Sequence, residues 1–176
     1  MSFQPGTSPV ELLLVGRVSG VTNLEYVNVQ DYGALPVEKG GGVVTQKIKD
    51  ALAAVTDPGG VLFFPRGTYN TGPFQVRRSG IWILGSGPGT RLKANVGEFT
   101  PNVSGGIEIL GPNVKDVVVS SLLMDGAGTA TCRGILVQGG AEAFVEKCHF
   151  YNWIGELSQR GRGISVHQHP ATEPPP

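Results

Sequence analysis

One short phrase that returns at a near-constant step limits what this chain can fold into more than any other feature. Gly106-Ile107-Glu108-Ile109 is followed 28 residues later by Gly134-Ile135-Leu136-Val137, and 29 residues after that by Gly163-Ile164-Ser165-Val166. Other features keep a similar step, since Val117 stands 28 before Val145 and Leu122 stands 28 before Phe150. Each copy holds a Gly, an alternating apolar segment, and two further short apolar segments. These are Val117-Val118-Val119 and then Phe144-Val145-Glu146, with Leu122-Leu123-Met124 and then Cys148-His149-Phe150. Alternation of this kind, with no helical period between, reads as about three short strands per repeat.

A period of roughly 20–50 residues belongs to solenoids, propellers and arrays. Propeller blades need four antiparallel strands, tight hairpins and about 40 residues, and neither hairpins nor that length are visible here. Strand-only repeats with Gly at the corners favour a parallel β-helix, whose copies stack about 4.8 Å apart. On that reading Ile107, Ile135 and Ile164 form an interior ladder, and Glu108, Leu136 and Ser165 point outward. Composition agrees. Gly accounts for 27 of 176 residues, about twice the usual ~7%, as a chain of many corners requires. Fourteen basic and fourteen acidic residues leave a formal net charge of zero. No field gathers nucleic acid or an anionic membrane, so neither is expected as a partner.

Residues 1–26 read as an extended N-terminal arm around the one apolar patch Leu12-Leu13-Leu14-Val15. That patch is too short for a secretory signal and follows an acid, Glu11, so no signal is expected, and no stretch is long enough to span a bilayer. Apolar residues at Val44, Ile48, Ala51, Leu52 and Val55 predict an amphipathic helix over 44–55, ended by Asp57-Pro58-Gly59-Gly60. Gly60 to Tyr69 then reads as a strongly apolar strand and a turn. A lone helix ahead of a stack of strands has an evident task, because the first rung otherwise exposes its apolar cross-section and unpaired edges. The helix is therefore expected to cap the N-terminal end.

The order of "NVQDYGAL", amphipathic helix, "GGVLFFPRGTYNTGPFQV", "GIWILGSGPGTRLKA" and the ladder phrases resembles the pectate-lyase-like right-handed parallel β-helix superfamily. The likeness covers about Val27 to Val166 and is greatest to the N-terminal rungs of bacteriophage tailspikes and related polysaccharide-active proteins. In place of the acidic run usual before the helix stands Gly40-Gly41-Gly42-Val43-Val44-Thr45. The resemblance implies an all-β fold, a short right-handed parallel β-helix of about four rungs occupying 27–166. The early rungs admit two phases: Gly80-Ile81-Trp82-Ile83-Leu84-Gly85 matches Gly106-Ile107-Glu108-Ile109-Leu110-Gly111 at a spacing of 26, whereas the resemblance, whose phase is preferred, aligns Ile81 with Val117, matches Phe74-Gln75-Val76 to the ladder phrase and makes Asn95 to Gly105 an insertion.

Related enzymes place carboxylates together on one outward face, for calcium or for glycoside cleavage, and a glycosidase needs two carboxyl groups about 5–9.5 Å apart. The outward ladder positions Glu108, Leu136 and Ser165 supply one acid, so no catalytic, cofactor or metal residue is assigned. Asp125, in Met124-Asp125-Gly126, reads as a corner turn. Glu142, Glu146 and Glu156 read as solvated acids, and Gly85-Ser86-Gly87-Pro88-Gly89-Thr90 as a corner rather than a phosphate cradle, since it lacks the Lys-Ser/Thr pair of a P-loop. Asn102-Val103-Ser104 fits a glycosylation sequon without a route to the glycosylating compartment. Cys132 and Cys148, the only cysteines, read as buried free thiols. Tyr69, Trp82, Tyr151 and Trp153, with Arg77, Arg78, Arg133, Arg160 and Arg162, make either a glycan-stacking or protein-docking surface or ordinary corner and subunit packing.

Residues 167–176 form a Pro-rich tail that cannot continue a ladder, and no second amphipathic helix closes the stack. An uncovered solenoid end invites association. The expectation is a homotrimer, as is common among β-helix virion proteins of the kind resembled, with the N-terminal arm reaching other virion proteins on capsid or tail. His167 and His169 would then recur three times near the axis, although a solvated tail is the plainer reading. The function expected is a structural bacteriophage virion component, either capsid decoration, head fibre or tail spike, with no cofactor and with surface glycan as one further partner. The alternatives are a polysaccharide lyase or glycoside hydrolase, or a fragment of an enzymatic tailspike, and a carbohydrate-binding module.

Overall fold

Alternating apolar residues bounded by glycine or by left-handed corner residues set the strand lengths of this chain. The computed structural model describes residues 25–99, 105–128, 133–153 and 162–167, and in the last segment only Ile164 has a described side chain. The strands are β1 (Glu25–Asn28), β2 (Gly60–Phe64), β3 (Gly67–Thr71), β4 (Phe74–Val76), β5 (Ile81–Gly85), β6 (Thr90–Ala94), β7 (Gly105–Leu110), β8 (Val117–Ser120), β9 (Leu123–Asp125), β10 (Arg133–Gln138), β11 (Ala143–Glu146), β12 (His149–Tyr151) and β13 (Arg162–His167). One α-helix, α1 (Thr45–Ala54), lies between β1 and β2, close to the expected 44–55, with Val44 and Val55 as its flanking residues. β1 begins two residues before the expected start of the domain at 27.

The chain is mostly β, and its strands make three parallel sheets. The first runs β1-β2-β5-β8-β11, the second β3-β6-β9-β12 and the third β4-β7-β10-β13. From β2 onward the chain visits first, second and third sheet in turn, so each circuit adds one strand to every sheet. Three short strands per repeat were legible in sequence, and of the two phases open for the early circuits the preferred one is observed. Phe74 pairs with Ile107 and Val76 with Ile109, while Trp82 pairs with Val118 and Ile83 with Val119.

The ladder phrases pair as expected, Ile107 with Ile135 and Ile135 with Ile164. Elsewhere the expected step needs correction. Val145 pairs with Val119 rather than Val117, and Phe150 pairs with Met124 rather than Leu122. The cause is the connection into the first sheet: Gly111 to Asp116 joins β7 to β8, but only Gly139 to Glu142 joins β10 to β11. Losing an even number of residues keeps every side chain on its own face, which is why the slip does not disturb the alternation.

Inward residues of all three sheets form one core with the helix: Ile83, Val119, Leu92, Met124, Phe74, Ile107 and Ile135 pack in the same cluster as Ile48, Ala51, Leu52 and Val55. The corner from first to second sheet is made by one residue with positive φ, Ser121 (60°) or Lys147 (51°). An apolar residue follows each, Leu122 or Cys148, and turns inward. Positive φ is uncommon outside glycine, and here two packed sheets impose it. The Gly85 to Thr90 run is a corner as expected, with Thr90 N–H donating to Gly87 O at 2.9 Å. No helix among the described residues is long and apolar enough to cross a membrane.

Candidate functional site

Two recesses hold most of the polar side chains that strand alternation sends outward. On the second sheet, Leu92 turns in and Arg91 and Lys93 turn out. The register sets Lys93 beside Asp125 and Asp125 beside Tyr151. Asp125 is 1% exposed. Its Oδ1 accepts from Ala127 N–H (2.9 Å) and Asn152 Nδ2 (2.9 Å), and its Oδ2 accepts from Arg91 Nε (3.0 Å) and from Arg91 Nη2. The Arg91 guanidinium also lies 5.3 Å from the centre of the Tyr151 ring. Burial pulls the Asp125 carboxyl upward, but the Ala127 amide, Arg91 and Asn152 outweigh it and hold the group below the ordinary carboxylate range. The turn read from the sequence is present in the Ala127 contact, whereas the ion pair to the neighbouring strand is an addition.

Around this pair lies a recess of 530 Å³ lined by Asn70, Lys93, Asn95 and Asn152 among others. Asp125 in this state is ionised with both oxygens occupied, so it is poorly suited to proton transfer near neutrality. The amide and ammonium groups around it suit binding.

The larger recess, a groove of 1000 Å³, lies between α1 and the third sheet and is lined by Thr45, Lys49, Gln75, Arg77, Arg78, Glu98 and Glu108 over an apolar floor that includes Leu52 and Val76. Glu108 was expected to point outward. It does alternate with the inward Ile107 and Ile109, but it is 7% exposed. Its Oε1 accepts from Gly105 N–H at 3.0 Å and its Oε2 from Gln75 Nε2 at 2.9 Å, and Gln75 Oε1 in turn accepts from Arg77 Nε at 2.9 Å. Glu98 comes from the insertion and accepts from the Thr45 hydroxyl. Two carboxylates therefore line one groove, although sequence reading singled out only Glu108. The available signal was position: Glu98 sits in the expected insertion that leads directly into the ladder strand.

Leu136 is on the outer side yet buried at 3%, and a Cβ on Gly105 would lie 2.7 Å from its Cβ. Tyr69, expected at the surface, is 0% exposed; its hydroxyl accepts from Gln30 Nε2 (2.9 Å) and donates to Pro65 O (3.0 Å). Trp82, Tyr151 and Trp153 are half-buried, and Trp153 Nε1 donates to Met124 O at 3.3 Å. Glu142 is exposed and pairs with Lys115 at 3.5 Å, while Glu146 is half-buried and accepts from Ser120 Oγ at 3.3 Å. Cys148 is a free thiol, half-buried at a corner, and burial pushes its thiol up. Asn102, Cys132, Glu156, Arg160, His169, residues 1–24 and the rest of the tail lie outside the described residues, as do the side chains of Arg162, Ser165 and His167. No three His, Cys, Asp or Glu side chains stand together as a metal-binding group among the described residues.

No protein-family model matches the chain, and no curated protein matches it. Among solved structures it is similar to ORF18 of Geobacillus virus E2, with a TM-score of 0.55 and 21% identity over 71% of this chain and 25% of that one. This chain thus spans a quarter of the viral protein. It is also similar to a Parabacteroides merdae ATCC 43184 protein provisionally classed as a glycosyl hydrolase, with a TM-score of 0.50 and 15% identity over 82% of this chain and 83% of that one. At these identities the likeness is one of fold.

Proposed function

We propose that this chain is a short right-handed parallel β-helix of the pectate-lyase-like kind and serves as a structural component of a bacteriophage particle, assembled as a homotrimer. The observation that carries the reading is the use made of the outward acids. Glu108 and Asp125 both spend their oxygens on the chain's own amides and side chains, which fastens neighbouring strands to one another. A stack braced in this way is a rigid spacer. Fold likeness to a phage protein of which the match covers a quarter fits a role as one segment of a particle surface, on capsid or tail, with the residues ahead of β1 as the attachment arm.

Gold-labelled antibody against this chain, applied to intact phage particles from cells that carry its gene, tests the assignment. Label on particles is expected; particles that form normally and carry none would remove it.

A second reading has a specific observation behind it. Glu98 and Glu108 line the same groove as Arg77 and Arg78, and paired carboxylates are the machinery of glycoside hydrolysis. Incubating the intact chain with acidic and neutral polysaccharides, with and without calcium, separates the two. The structural reading expects no turnover. Turnover that disappears in both Glu98→Gln and Glu108→Gln would establish the enzyme instead.

A further inference from the structure

Glu108 and Asp125 spend their charge on the chain itself, and the second sheet holds a cation that does not. The register places Lys93 of β6 beside Asp125 of β9, on strands about 4.8 Å apart and therefore within reach of an ion pair. No pair forms, because Ala127, Asn152 and Arg91 take both oxygens of Asp125. Lys93 is half-buried and lines the 530 Å³ recess. Among the described residues its ammonium has no hydrogen-bond or ion-pair partner. Three N–H donors on a partly desolvated charge are thus left for an acceptor from outside the fold.

Three asparagines stand around it, with their main chains fixed. Asn70 O accepts from Val44 N–H at 2.9 Å, Asn95 N–H donates to Thr71 O at 2.9 Å, and Asn152 O accepts from Gly128 N–H at 3.0 Å. Their side chains are uncommitted by comparison. The carboxamides of Asn70 and Asn95 have no partner among the described residues, and Asn152 commits only its Nδ2, to Asp125. Groups held on a fixed main chain lose little freedom when a ligand arrives. Each carboxamide sets a donor beside an acceptor, which is the pattern that matches a peptide N–H and C=O.

Charge and size narrow the ligand further. Arg91 and Lys93 against Asp125 leave the recess with one positive charge, which a single carboxylate balances and a phosphate dianion exceeds. From Asn70 on β3 to Asn152 just past β12 the recess crosses four strands, about 14 Å at about 4.8 Å per step, which is the reach of about four extended residues. Its lining includes no aromatic ring on which a sugar face could lie; Val96, 55% exposed, supplies aliphatic contact with Ala94 and Ala127. We propose that this recess binds an acidic peptide segment of about four residues from a partner protein. The segment's carboxylate sits on the Lys93 ammonium, and its main chain hydrogen-bonds to the asparagine carboxamides.

This site goes beyond the particle role and does not depend on it. Nuclear magnetic resonance titration of the isotope-labelled intact chain tests it, with a blocked tetrapeptide of three alanines and one glutamate as the probe. Saturable shifts confined to β3, β6 and the corner after β12 are expected at millimolar peptide. The same peptide with glutamine in place of glutamate should bind at least tenfold more weakly, and so should the glutamate peptide to Lys93→Gln. That variant should keep the parent's melting temperature, since Lys93 has no partner among the described residues. Asn95→Ala, which removes no charge, should weaken binding severalfold. A spectrum unchanged by the peptide, or equal affinity in parent and Lys93→Gln, overturns the inference. So does inorganic phosphate or trigalacturonate binding at these residues tenfold more tightly than the peptide.

Discussion

The two ends of the stack carry the same alternation of residues and are treated differently. At the N-terminal end, α1 lays Ile48, Ala51 and Leu52 onto the core, with Val55 just beyond it, and Ile48 is 0% exposed. The edge of the second sheet is engaged as well, since Val43 bridges to Asn70 and Val44 N–H donates to Asn70 O at 2.9 Å. At the other end the last strands are β11, β12 and β13, where Val145, Cys148 and Phe150 are only partly buried. Ile135 and Ile164 occupy the same ladder position one strand apart, yet the first is 0% exposed and the second 43%. Burial in such a stack is conferred by the next layer rather than by the residue, so equal sequence phrases carry unequal energies.

The largest effect should come from uncapping the covered end. Ile48→Asp places an unpaired charge against the first circuit and should cost roughly 4 kcal/mol, read as a lowered midpoint in urea. If it melts like the parent, α1 contributes no cover. Next is the ladder itself: Ile135→Ala should cost about 2–5 kcal/mol and Ile164→Ala less than about 1 kcal/mol. Equal losses would mean that the far end is covered too.

Arg91→Met should cost about 1–2 kcal/mol, since it strips a partner from the buried Asp125 while the partial exposure of Arg91 discounts the pair. The pH dependence has a definite sign. Asp125 has a folded-state pKa below its ordinary value of about 4, so its contribution is present above that pH and is lost as pH falls through the lower folded value. Asp125→Asn should therefore flatten the acid limb of the stability curve, and an unchanged limb would show that other carboxylates dominate it.

How much was legible in the sequence depended on whether a signal was local. The ladder phrase announces itself because Gly and two β-branched residues recur together, and the helix because its stripe lies within one segment. Sheets one and two were misregistered by two residues because a corner loop shortened, and apolar alternation alone cannot detect an even slip. Tyr69 was grouped with surface aromatics, although Thr68-Tyr69-Asn70 alternation puts it inward, where Gln30 and Pro65 satisfy its hydroxyl. The Arg91–Asp125 pair spans 34 residues and becomes visible only once the phase of the early circuits is applied to outward as well as inward positions. Glu98 was signalled only by its place in the insertion ahead of the ladder strand, and an insertion carries no register to say which groove it joins.

Amide hydrogen exchange on the intact chain tests the asymmetry of the two ends most directly. Protection should be greatest in β2, β5 and β7, fall through β8 and β10, and be least in β11 and β12, where the covering layer is thinnest. Equal protection in β5 and β11, or the reverse gradient, would contradict a stack covered at its N-terminal end and, among the described residues, less covered at the other.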